Sequence, residues 1–321
     1  LRRQRQMCIR DSMHIGAGRV IPQDLVKINE DIHSKAFFQL PSLVHICEDS
    51  AKRNVTLHVM GMLSDGGIHS HQNHLFAFLE LASQHRCPKI ALHLFTDGRD
   101  TSPQSAKRYI QKLETLIKHH PFVQIASLSG RFYSMDRDKR WDRVEKTYNL
   151  LTKGQGHHFK TALEAIAANY AKDLYDEFIE PCYIGNKPIT IEDGDNVFFF
   201  NFRSDRAIQL TDALTNPHFD GFGREHFPKI KQMLCMLPYA SFLKADSVYP
   251  EHSVKQSLGE ILSKQGLSQL RIAETEKFPH VTFLFNGGKE DEFKNEHRIL
   301  IASPKVKTYN LAPKMRANEI T

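Results

Sequence analysis

Nothing in this sequence stays apolar long enough to cross a bilayer; the longest such run, 197–202, is short and contains Asn201. Cysteine is scarce and odd in number. The five residues are scattered and no two form a CxxC pair, which signals neither a zinc site nor a disulfide framework and fits a reducing cytoplasm. Repeats, low-complexity tracts and long linkers are missing, and the polar, basic opening LRRQRQMCIRDS predicts no secretory signal. Neither sign of charge dominates. The 43 Lys and Arg exceed the 37 Asp and Glu by a modest +6, which favours an anionic partner. A nucleic-acid surface would interleave basic residues with exposed aromatics or carry a basic helix stripe, and neither pattern is present.

What is present is an alternation of strand-like and helix-like segments, the pattern of an α/β sheet with covering helices. Residues 55–63, 89–95, 122–128 and 196–202 read as buried strands. Helices are predicted over 72–86, over a segment capped by Ser102 with Pro103 at its first position, and from Trp141 to a stop at Gly154. Further helices are predicted over 161–172, after a Ser204 cap, and over 253–265. The turn-rich segment 246–252 is the best domain boundary.

In open α/β sheets, ligands bind beyond the carboxyl ends of the strands, and here those positions carry the charge. The loop after the first strand holds Gly66, Gly67, His69 and His71, with His74 beyond. These histidines are compatible with a metal, with capping or exposed roles, or with one substrate contact. The second loop holds Arg99 beside Asp100. The third holds Arg131 and Arg137 before a helix start. The fourth holds Arg203 and Arg206 around another helix start, where free N–H groups already favour an anion. Guanidinium forks suit phosphate and carboxylate, so five arginines at three strand ends point to one cleft for a small polyanion.

Six blocks of the chain, in order, resemble the 2,3-bisphosphoglycerate-independent phosphoglycerate mutases: MLSDGGIHSH, TDGRDTSPQSA, SGRFYSMDRDKRWDRVEK, FNFRSDRAIQLT, LRIAETEKFPHVTFLFNGG and ASPKVKTYNLAPKM. The resemblance covers residues 13–321. It implies an alkaline-phosphatase-like domain with two metals, usually manganese, and a serine nucleophile, into which an α/β substrate-binding domain is inserted. It also implies that His69, Arg99, Asp100, Arg131, Arg137, Arg203, Arg206 and Lys277 contact 2- or 3-phosphoglycerate. His69 and Asp100 would move protons on its hydroxyls. The implied reaction is a phosphoryl transfer through a phosphoserine, with glycerate held and reoriented between steps, in glycolysis and gluconeogenesis. The implied setting is cytoplasmic and mostly monomeric, with no membrane or nucleic acid.

The resemblance fails at both ends. Residues 7–13 read MCIRDSM where the family carries NSEVGHM, which puts Cys8 at the serine position without matching neighbours. No metal ligand of the family is matched. The resulting expectation is a non-native leader over 1–12, a remnant of the phosphatase-like domain over 13–22, the substrate-binding domain over 23–250 and a partial phosphatase-like domain over 251–321. Such a piece is expected to lack mutase activity. Two other readings stand beside the mutase: a metal-dependent phosphohydrolase of the alkaline phosphatase superfamily, and a non-catalytic anion-binding module.

Overall fold

The computed structural model describes residues 11–250, 254–304 and 311–321, so Cys8 and most of the expected leader lie outside the described residues. The chain divides into two compact units, 24–250 and the pair of segments 1–23 and 251–321.

The larger unit runs α1 (Asp24–His33), α2 (Pro41–Arg53), β1 (Thr56–Met62), α3 (Gln72–Gln84), β2 (Lys89–Thr96), α4 (Ala106–Ile117) and β3 (Val123–Gly130). It continues through α5 (Arg131–Ser134), α6 (Trp141–Lys153), β4 (His157–Phe159), α7 (Ala162–Tyr170), β5 (Cys182–Ile184), β6 (Asn196–Phe199), α8 (Ile208–Thr215), β7 (Gln232–Cys235) and β8 (Asp246–Ser247). The strands form one sheet in the order β4-β5-β3-β2-β1-β6-β7-β8. Pairing is parallel except between β3 and β5. The chain therefore builds outward from β1 to β3, then crosses back to lay β6 against the other side of β1, a switch in strand order.

Both faces of this sheet are covered, which is why its central strands are apolar almost throughout. Side chains alternate along β1: Leu57 and Val59 join a core with Leu43, Phe78 and Ile110 of α2, α3 and α4. Met60 and Met62 join the opposite core with Tyr148 and Leu151 of α6 and Leu210 of α8. One polar thread runs through the sheet. Asp195 meets His58 Nε2 at 3.1 Å, His58 Nδ1 meets His93 Nε2 at 2.9 Å, and His93 Nδ1 meets Ser127 Oγ at 2.7 Å.

Four boundaries differ from the sequence reading by three or more residues. The helix expected from Ser102 begins at Ala106, because the Asp176 carboxylate accepts the N–H groups of Ser105 and Ala106 at 2.9 and 2.8 Å and takes over the capping. Ser204 caps no helix. Its carbonyl instead closes a turn to Ala207, and α8 starts at Ile208. The strand expected over 196–202 ends at Phe199, where the Asn201 side chain accepts the Met62 N–H at 2.9 Å in place of a ladder bond. The last predicted helix shortens to 258–264. Gln256 adopts a left-handed φ of 58° and Ser257 provides the cap.

The smaller unit contains α9 (Leu258–Lys264), β9 (Gln269–Glu274), α10 (Phe278–Val281), β10 (Glu296–Ile301) and α11 (Ala317–Ile320). Its two strands pair in parallel with each other.

Candidate functional site

The strands β1, β2, β3 and β6 all point their carboxyl ends the same way, so the loops after them share one edge of the sheet. The connection before β5 comes to that edge too, since Gly130 N–H donates to the Ile179 carbonyl at 2.7 Å. A Cβ on Gly130 would stand 2.4 Å from the Glu177 carbonyl, so only glycine lets the two segments touch.

The loop after β2 folds on Asp97. Its Oδ1 accepts the N–H groups of Arg99 and Asp100 at 3.2 and 2.9 Å, and its Oδ2 accepts the Ser64 hydroxyl at 2.9 Å. Gly98 completes the turn at φ 66°, with no room for a Cβ against Asp176. Asp97 thus ties the loop after β1 to the loop after β2.

Arg131 is inserted into this knot, 2% exposed. Its Nη1 donates to Asp97 Oδ1 at 2.7 Å and to Asp100 Oδ2 at 2.6 Å. Burial alone would lower its pKa, but the two carboxylates outweigh that and raise it, so the guanidinium stays charged inside the protein.

His69 lies between two acids. Its Nε2 is 3.8 Å from Asp100 and its Nδ1 is 3.5 Å from Asp205. Burial, followed by the charge of Arg131, pushes it down to about 3, so the ring is neutral at physiological pH. Its carbonyl accepts the N–H groups of Phe202 and Arg203, which fastens the loop after β6 to the loop after β1.

Asp205 gathers two of the remaining arginines. Arg203 Nε and Arg137 Nη1 each donate to it at 2.9 Å. Burial pushes the Asp205 carboxyl up, but Arg203, His69 and Arg137 together hold it below the usual carboxylate range. Arg206 donates from Nη1 to the Met135 carbonyl at 2.9 Å. Burial and then the charges of Arg131, Arg137 and Arg99 lower its pKa. Arg99 reaches Glu177 at 3.3 Å.

The structure therefore brings His69, Arg99, Asp100, Arg131, Arg137, Arg203 and Arg206 together at one edge of the sheet. Lys277 belongs to the smaller unit, immediately before α10. The three histidines after β1 separate into different tasks. His71 Nδ1 accepts the Asn73 N–H at 3.2 Å as the cap of α3, and His74 Nε2 donates to Asn29 Oδ1 of α1 at 3.0 Å. With two of the three committed elsewhere, they do not form a ligand set. Among the described residues no group of three or more His, Cys, Asp or Glu could hold a metal.

Two site residues escaped the sequence reading. Asp97 and Asp205 both stand within two residues of a candidate arginine, in D-G-R-D and R-S-D-R. The Asp-Gly pair is an Asx-turn signature and could have revealed Asp97. No comparable signal exists for Asp205, whose partners come from three separate loops.

Residues 28–241 match the family model described as the N-terminus of the BPG-independent phosphoglycerate mutases. The chain is similar to the 2,3-bisphosphoglycerate-independent phosphoglycerate mutase of Legionella pneumophila strain Philadelphia 1, 49% identical over 310 residues, and to that of Methylobacillus flagellatus, 48% identical over 314. These alignments cover 96% of this chain and 60% and 61% of the relatives. A crystal structure of Leishmania mexicana phosphoglycerate mutase at low cobalt concentration superposes with a TM-score of 0.76 at 30% identity, covering 96% of this chain and 59% of that one. The chain thus spans about 60% of the length of the curated relatives it matches.

Proposed function

The chain belongs to the 2,3-bisphosphoglycerate-independent phosphoglycerate mutase family, and we propose that its larger unit grips 2- and 3-phosphoglycerate for an isomerase of cytoplasmic glycolysis and gluconeogenesis. The observation that carries this reading is the gathering of five arginines from three strand-end loops around neutral His69 and Asp100. A ligand with a phosphate at one end and a carboxylate at the other needs several fixed cations spread over a few ångströms. Arg131, fixed by Asp97 and Asp100, supplies one of these without further ordering, and Arg99, Arg137 and Arg203 stand close by on Glu177 and Asp205.

Holding is also what distinguishes a mutase from a hydrolase. If glycerate must stay bound between loss and return of its phosphoryl group, binding energy has to persist after the phosphate has left. Arg131, with its charge secured by two carboxylates, and Arg206, amid like charges, suit that role. His69 and Asp100 stand 3.8 Å apart, close enough to exchange a proton with the same glycerate hydroxyl. Lys277 is a further proposed substrate contact, on its motif match alone. The family resemblance also implies two manganese ions, which would neutralise phosphate charge and activate a serine. The described residues do not fit such a centre.

Calorimetric titration of the chain with 3-phosphoglycerate tests the reading. Saturable 1:1 binding is expected, weakened at least about tenfold by Arg206→Ala, a loss typical of a charge-assisted pair. Absence of binding, or equal binding by the variant, would overturn it.

A further inference from the structure

The cleft supplies an anion of its own. Asp205 lies between the two arginines of its own loop and draws Arg203 and, from the loop after β3, Arg137 onto one carboxylate. It differs from the other acids of the site. Asp97 is 1% exposed and spends its oxygens on two backbone N–H groups, a serine hydroxyl and Arg131. The side chain of Asp205 is 29% exposed, those of Arg137 and Arg203 are 47% and 42% exposed, and its described hydrogen bonds all come from those two arginines. Exposed ion pairs of this kind contribute little and exchange readily. The backbone beneath them is firm, because Asn201 binds the Met62 N–H and the His69 carbonyl takes the N–H groups of Phe202 and Arg203. A partner swap here needs only side-chain rotation.

Arg206 stands in the opposite condition. Its hydrogen bond goes to a neutral backbone carbonyl, and no carboxylate lies within ion-pair distance of it among the described residues. It offers an incoming anion a cation that need not be taken from anyone.

We propose that Asp205 is a specificity-determining residue, an internal competitor that an anionic ligand must displace from Arg137 and Arg203. A ligand with two separated anionic groups can place one on Arg206 and use that foothold to evict Asp205 with the other. A single-centred anion such as inorganic phosphate has no second group to spend. Asp205 thereby discriminates against the abundant small anions that five arginines would otherwise attract. This selectivity rests on the phosphoglycerate reading of the cleft, but the competition itself is testable apart from it.

The decisive experiment titrates inorganic phosphate and 3-phosphoglycerate separately into the 321-residue chain and its Asp205→Asn and Asp205→Glu variants. Circular dichroism and thermal melts monitor the fold. Removing a like charge from the anion's path is expected to strengthen phosphate binding about tenfold in Asp205→Asn, and 3-phosphoglycerate binding by less. Asp205→Glu, which keeps the charge, should bind phosphate as weakly as the parent. Unchanged or weaker phosphate binding in Asp205→Asn, or equal strengthening in both variants, would overturn the proposal. If the parent chain ignores 3-phosphoglycerate while Asp205→Asn gains phosphate affinity, the competitor stands and the phosphoglycerate reading falls. If the parent binds 3-phosphoglycerate while Asp205→Asn gains no phosphate affinity, the phosphoglycerate reading stands and the competitor falls. A second measurement needs no variant: the Asp205 side-chain carboxyl carbon, followed by NMR, should titrate at higher pH when 3-phosphoglycerate saturates the chain, because its arginine partners have left. An unmoved titration would count against displacement even if the substituted chains failed to fold.

Discussion

His74 shows how one side chain can set an acid limit on the fold. It is fully buried between α1 and α3, its Nε2 bonded to Asn29 and its Nδ1 without a partner among the described residues. Burial keeps it neutral down to about 3, whereas the free side chain titrates at 6.5. Between those values the unfolded chain binds a proton that the folded chain refuses, so stability is complete above about pH 6.5 and falls as pH drops toward 3. One full proton corresponds to about 1.4 kcal/mol per pH unit. Urea unfolding at a series of pH values should therefore give a shallower acid slope for His74→Gln than for the parent; identical slopes would assign the acid sensitivity elsewhere. His69 adds a second proton of the same sign. The sequence could not sort these histidines, because H-S-H-x-x-H states their spacing and not which of them faces a helix end, a helix partner or a cleft. It did supply every arginine of the cleft, since charge at strand ends needs only the strand pattern to be visible. Of the acids that hold those arginines, Asp100 was visible beside Arg99, but Asp97 and Asp205 stayed hidden because their function lies in contacts between loops.

At the level of elements, the strands β1 to β3 and the helix ending at Gly154 were legible, because periodicity and a left-handed glycine are local signals. The start of α4 was not, for its cap comes from Asp176, far along the chain. The same carboxylate also accepts the Tyr170 hydroxyl of α7, so one residue joins two helices to the edge that bears the cleft. Asp176→Ala leaves those donors unmet and should cost about 1–3 kcal/mol in urea unfolding. A loss below about 0.5 kcal/mol would mean that water or Ser102 replaces the cap. Gly98→Ala tests the neighbouring turn. Its φ of 66° and the 2.7 Å approach of Asp176 forbid a Cβ, so Arg99 and Asp100 should shift and 3-phosphoglycerate affinity should fall with them.

For the chain as a whole, the two units differ in how well each satisfies itself. The larger one packs both faces of its sheet. The smaller one has a parallel pair of strands, an arrangement normally buried, with Leu270 and Leu300 each more than half exposed. Light scattering is expected to detect self-association that rises with concentration, and Leu270→Thr with Leu300→Thr should reduce it; no difference would locate the contact elsewhere. Within the larger unit, the line of Asp195, His58, His93 and Ser127 gives the sheet a means of proofreading its own assembly. Apolar side chains of similar size tolerate a strand that has slid along its neighbour, but donors and acceptors do not. A slip between any two of the central strands would orphan imidazole nitrogens in a dry interior, so a misaligned sheet is rejected by its polar minority rather than by its greasy majority.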